Sequence, residues 1–147
     1  MESTRSRCTA LAATSAEEAD IARIRAGYEG MAAAKVNEEF VAADIVFHQA
    51  IYFATRNEFF WPIAQMFDIT LRQSFTIAAR GSHRARALVE HHAVLDAIAT
   101  RNADGAREAT NVLLKNSADD LVRIRGREFA ARPKTSGTSA TPARDRG

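Results

Sequence analysis

Three side chains in this sequence have the types and the spacing to do chemistry together. In "ADIVFHQAIY", residues 43–52, Asp44 and His48 stand four apart, and in "VEHHAVLDAI", residues 89–98, His91 follows Glu90. A carboxylate with two imidazoles can hold a divalent metal ion, a donor set that suits zinc, nickel or manganese. The same groups can also satisfy one another, because a buried carboxylate needs a donor and an imidazole carries one. Both chemistries make one demand on the fold: three polar groups must turn inward to a common point.

Helical spacing meets that demand. Residues three and four apart stack on one side of a helix, so Phe40, Asp44, Phe47, His48 and Ile51 share a face. Leu88, His91, Leu95 and Ile98 form a second stripe. His92 is turned about 100° away from it, and Glu90 is rotated away from His91. Around these two helices, Ser15 and Glu18 carry a capping-box signature ahead of a helix over 16–35 with Ile21, Ile24 and Tyr28 on one side. Gly30 weakens the end of that helix, and the second helix begins after Asn37. Asn57 caps a third helix over 58–80, with Pro62 in its first turn, where proline costs little. Gly81 and Ser82 break the pattern before a fourth helix over 84–100, and Asn102 caps a fifth over 103–129. No window alternates over strand length. The reading is all-α: an antiparallel bundle of about five or six helices around a central ligand or metal pocket.

The 147 residues, 46% hydrophobic and 26% charged, make one soluble-type domain with a real core. A net charge of +2 is too small to argue for a nucleic-acid surface, and the tail alone carries Arg132, Lys134, Arg144 and Arg146 against Asp145. The single cysteine, Cys8, excludes an internal disulfide and fits a reducing compartment. No apolar run reaches membrane-span length and no secretory signal stands at the N-terminus, so a cytoplasmic protein is expected. Residues 1–14 read as the remnant of a first helix or a flexible N-terminus, 15–131 as the helical sensor domain, and 132–147 as a disordered basic tail.

The segments "LAATSAEEADIARIRAGYEGM", "FVAADIVFHQAIYFATRN" and "VEHHAVLDAIATRNADGAREA" resemble the ligand-sensing C-terminal domain of FadR-type regulators in the GntR family, the FCD domain. The pattern is an Asp-x-x-x-His in one helix, a Glu-His-x-x-[Ile/Val]-Leu-x-Ala-Ile segment, then a histidine in the last helix. Glu90, His91, Val94, Leu95, Ala97 and Ile98 fall where it wants them, and the likeness spans roughly residues 10–124. It implies a helical bundle around a pocket in which an Asp and three His hold a divalent ion beside a small carboxylate effector. Asp44, His48 and His91 would then be metal ligands.

The fourth ligand position falls at residue 113, which is Leu113. The site would therefore keep three protein ligands with water or an effector carboxylate in the gap, or stay empty as an Asp/His hydrogen-bonded network, or have decayed. Arg72, in "DITLRQSF", is the candidate to pair with an effector carboxylate through its planar guanidinium, with a plain surface arginine as the alternative. His83 and His92 read as solvated, and Trp61 with Phe59 and Phe60 as helix packing or a dimer surface.

The resemblance also implies a winged-helix DNA-binding domain ahead of the sensor, which nothing in these residues can supply. The chain reads as a fragment of a longer regulator, or a stand-alone sensor remnant whose first helix is missing, contacting DNA only through that absent domain and exposing an apolar groove, so that homodimerisation or marginal stability is expected. The expected function is effector binding and dimerisation in a transcriptional regulator, without enzymatic activity. The alternatives are a structural dimerisation module with a fixed Asp/His network, or a small metal-dependent hydrolase.

Overall fold

The computed structural model describes residues 3–65 and 84–131, and every regular element among them is a helix. Helix α1 spans Thr4–Ser15, α2 Glu18–Ala33 and α3 Asn37–Ala54. A single 3-10 turn, Glu58–Phe60, then leads into helical residues 61–65, with Pro62 in the first turn. Helix α4 spans Arg84–Ala99 and α5 Ala103–Ala131. Helices α2 and α3 form one hairpin and α4 and α5 another, while α1 lies against α3, α4 and α5. The all-α bundle read from the sequence is the observed fold.

Residues 4–15, expected as a helix remnant or a flexible terminus, form an ordered helix: Ser3 caps it by accepting from the Ser6 amide at 3.1 Å, and Cys8, Thr9, Ala12 and Ala13 are buried. Its inward face is made of small residues. Such a face shows almost no hydrophobic contrast in sequence, yet it lets helices approach closely. The capping box also shifts. Ser15 ends α1, and the box is formed by Glu17 and Asp20, with the Glu17 amide donating to the Asp20 carboxylate at 2.9 Å.

Two arginines with positive φ, Arg56 at 56° and Arg101 at 60°, terminate α3 and α4. The left-handed conformation usually goes to glycine at this position, and it costs other residues roughly 1 kcal/mol or more. Both side chains return to the corner between α1 and α2. Arg56 holds the buried Asp20 carboxylate through Nε and Nη2 at 3.1 and 2.9 Å, and also reaches Glu17. Arg101 donates to the Ala16 carbonyl and pairs with Glu18 at 3.6 Å. These contacts offset the backbone cost and fix α1 and α2 to the far ends of the other two helices.

Between α2 and α3 the backbones nearly touch. A Cβ added at Gly27 would lie 2.7 Å from the Cα and N of Phe47, so only glycine permits this approach. Phe47 is fully buried in the main core with Ile24, Met31, Leu95 and Ile98. That contact sets the depth and rotation of α3, and so determines where His48, the next residue, points.

Candidate metal centre

Asp44 and His48 come from the middle of α3, one turn apart, and His91 comes from the first half of α4. Asp44 and His91 are each 4% exposed, and the His48 side chain is 12% exposed. His91 Nε2 lies 2.8 Å from Asp44 Oδ1 and 3.3 Å from His48 Nε2, and His48 Nε2 lies 3.2 Å from the same carboxylate oxygen. One potential ligand atom from each residue falls within 4.8 Å of the other two, a cluster able to hold a metal ion. The structure thus brings together all three residues singled out in the sequence. Phe47 packs its ring edge-to-face against both imidazoles, with centroids 5.4 and 5.1 Å away.

The hydrogen bonding says what must sit between these atoms. His91 Nδ1 is 2.6 Å from the Ala87 carbonyl, which accepts only, so Nδ1 carries a proton. Its Nε2 can then face the Asp44 oxygen favourably in two ways: as the N–H of an imidazolium, or as a lone pair sharing a cation with the carboxylate. A proton and a metal ion are alternative occupants of one position, and the chemistry of the donors fits either. The backbone carbonyl behind His91 is the usual means by which an imidazole is oriented toward a metal.

Electrostatics follow from this geometry. Burial opposes ionisation of Asp44, but the charge of His91 and the hydrogen bonds from His48 and His91 outweigh it. They hold the carboxyl well below the usual carboxylate range. Burial likewise works against a charged His91 ring, yet the Asp44 carboxylate and the Ala87 carbonyl raise its pKa above the ordinary value. For His48 burial prevails over the help from Asp44, and its pKa is lowered. In the metal-free cluster an added proton is therefore favoured on His91 over His48.

Beside His48 lies a cavity of about 10 Å³, room for about one water molecule. Its wall includes Arg5, Cys8 and Thr9 of α1, Tyr52 of α3, and Thr110 and Leu113 of α5. Leu113 is 3% exposed, and it occupies this wall with an apolar side chain. Arg5 and Cys8 were not connected with the site in the sequence, because residues 1–14 were read as unanchored. A helical reading of that segment would have placed Arg5, Cys8, Thr9 and Ala12 on one inward face.

Other candidates fall elsewhere. Arg72 and His83 lie outside the described residues. His92 is exposed and packs its ring against Tyr28, centroids 5.3 Å apart. Glu90 accepts from Asn116 and pairs with Arg86 at 3.3 Å, so it is engaged away from the cluster.

The sequence matches the FCD domain over residues 6–116. The chain belongs to the FCD family. No curated protein matches it at a significant level. An FCD domain is consistent with a ligand-sensing domain of GntR-type regulators. No helix among the described residues is long and apolar enough to cross a membrane.

Proposed function

We propose that this FCD domain binds a divalent metal ion through Asp44, His48 and His91, and senses a small carboxylate beside that ion as the effector-binding, dimerising part of a FadR-type regulator. The observation that carries the reading is the convergence of three potential ligand atoms from two helices, with Asp44 and His91 buried and His48 nearly so. Zinc, nickel and manganese all suit the donors. The bound ion would supply a positive centre for an effector carboxylate, and the chain's own residues would orient that carboxylate. Arg72 was the first candidate for its cationic partner. Arg5, on the cavity wall, is a second.

The cavity is too small for a dicarboxylate in this conformation, so binding requires α1 or α5 to move. A sensor needs that property: effector binding then selects a different helix arrangement, and DNA-binding domains carried by a dimer would be re-spaced. For the hydrolase alternative, the acid next to His91 is not available as a general base among the described residues, because Glu90 is engaged with Asn116 and Arg86.

The test is thermal unfolding of chelator-treated protein titrated with zinc, manganese and nickel, then with small dicarboxylates. An ion that binds only the folded chain stabilises it by about 2.7 kcal/mol at a hundredfold excess over Kd. The melting temperature should rise with ion concentration and stop doing so in His48→Ala and His91→Ala. No shift with any ion would reduce the centre to a fixed polar network in a structural helical module. Dimerisation is checked separately by sedimentation, where a monomer at high concentration would count against it.

A further inference from the structure

Helix α5 outruns the bundle that carries it. Asp120 accepts from Arg86 in the first turn of α4, and Arg84 donates to the Ala34 carbonyl, between α2 and α3, at 2.8 Å. These contacts place Asp120 and the α2–α3 turn at one end of the molecule. Helix α5 then continues without a break to Ala131, an overhang of about 16 Å at 1.5 Å per residue. It lies beyond the stretch that matches the FCD domain, and every residue from Arg125 to Ala131 is exposed. Val122 and Phe129 are 71% and 79% exposed, and seven residues apart they fall on one side of the helix. Arg125 flanks that stripe on one side, Arg123 and Arg127 on the other. Among the described residues no ion pair engages any of the three.

We infer that this overhang is a docking arm for a second copy of the chain, laid along that copy's α2–α3 turn with its arginines facing Glu29, Glu38 and Glu39 and Phe129 covering Val36. The inference names the surface for the dimerisation proposed above and rests on that reading. The turn is complementary to the arm. Glu29, Glu38 and Glu39 are exposed against the single positive charge of Lys35, and Val36 is 50% exposed. The arm carries Arg123, Arg125 and Arg127 against Glu128 alone. It cannot serve its own turn, because α5 packs on α1 and α4 and leaves them as an unbroken helix. A polyanion would answer the arginines but leave Val122 and Phe129 in water, whereas a second copy answers both. In a two-fold dimer each copy gives one arm and one turn, so this small contact is made twice. Aromatic residues and arginine are what such surfaces favour.

The test is sedimentation equilibrium of the full chain with two charge-reversed variants, Arg123→Glu with Arg127→Glu in the arm and Glu38→Arg with Glu39→Arg in the turn. The wild type should dimerise, and more weakly as salt rises. Each variant alone should dimerise at least about tenfold more weakly, while an equimolar mixture of the two should dimerise again, since arm and turn are once more opposite in charge. All four positions are exposed, so helical circular dichroism should be unchanged. A photoreactive phenylalanine in place of Phe129 gives a second readout that needs no charge reversal, and should cross-link to residues 29–39 of the other copy. A dimer indifferent to both reversals, with no such cross-link, would overturn the arm and leave dimerisation standing. A wild type that stays monomeric at high concentration would overturn both. If that monomer bound duplex DNA through Arg123 and Arg127, the arm would belong to a polyanion instead, against the proposal.

Discussion

Replacing Asp44 with alanine tests the centre most directly. The carboxylate is the acceptor 2.8 Å from His91 Nε2 and 3.2 Å from His48 Nε2, in a setting where Asp44 itself is 4% exposed. Removing one partner of a buried ion pair costs about 3–5 kcal/mol. His91 can soften the loss by releasing its proton, which instead leaves a buried ring nitrogen unpaired at about 1–3 kcal/mol. The lower end of the first range, about 3 kcal/mol, is therefore the expected loss for the metal-free chain near neutral pH. In a chain of this size each kcal/mol moves the melting temperature by about 2–4 °C. Asp44→Ala should accordingly melt about 10 °C lower in chelator. Asp44→Asn should lose less, because its amide can donate to a neutral His91 Nε2. The assay is calorimetry of both variants and wild type in chelator, with far-ultraviolet circular dichroism to confirm a helical start. An Asp44→Ala protein melting at the wild-type temperature would refute the claim that Asp44 and His91 hold one another in the core.

Three further outcomes follow from the same geometry. Leu113→His places an imidazole on the cavity wall beside His48. Zinc affinity measured by competition should rise at least about tenfold, while the metal-free protein loses stability from burying a polar ring; unchanged affinity would mean that residue 113 does not face the ion. Gly27→Ala forces a Cβ to within 2.7 Å of the Phe47 backbone and should destabilise by about 1–3 kcal/mol. Gly126→Ala meets nothing within 4 Å and should gain up to about 1 kcal/mol of helix propensity, so equal effects in denaturant melts would contradict the close α2–α3 approach. The pH profile supplies the last prediction. Without metal a proton on the folded cluster is favoured on His91, whose pKa is raised, over His48, whose pKa is lowered. The unfolded chain holds two protons below about pH 6.5 and none above it. The cluster's contribution to stability should therefore fall as pH drops below that value, through His48, and fall again as pH rises through the raised pKa of His91. With zinc the proton on His91 is displaced, and the alkaline decline should disappear. Identical melting profiles with and without zinc from pH 5 to 9 would rule this out.

What could be read in advance divides along physical lines. Asp44, His48 and His91 were legible because polar residues on an otherwise apolar stripe stand out against a 3.6-residue period, and Phe47, Leu95 and Ile98 supplied that stripe. Asn57 was legible as a cap, since its side chain accepts from the Phe59 amide at 3.1 Å. Asn102 does the same for the Gly105 amide at 2.9 Å. The inward face of helix α1 was not legible, because Ser6, Cys8, Thr9 and its alanines bury a face with no apolar contrast, and with it went Arg5 and Cys8. The roles of Arg56 and Arg101 were equally hidden, since positive φ at a non-glycine residue leaves no mark in the sequence. Their importance lies in contacts 36 and 85 residues away along the chain.

The burial of the centre behind α1 has a kinetic consequence. Among the described residues Asp44 and His91 have almost no solvent contact, and the cavity beside His48 admits about one water, so on the metal reading a hydrated ion would enter past α1. Entry and exit would then both wait for α1 to lift. Exchange would then be paced by the opening of a helix rather than by the lability of the metal–ligand bonds. A chelator should strip the ion at a rate independent of chelator concentration, and amides of α1 should exchange their hydrogens on the same clock. A domain built this way would respond to its occupancy as a memory of past ion supply rather than as an instantaneous gauge.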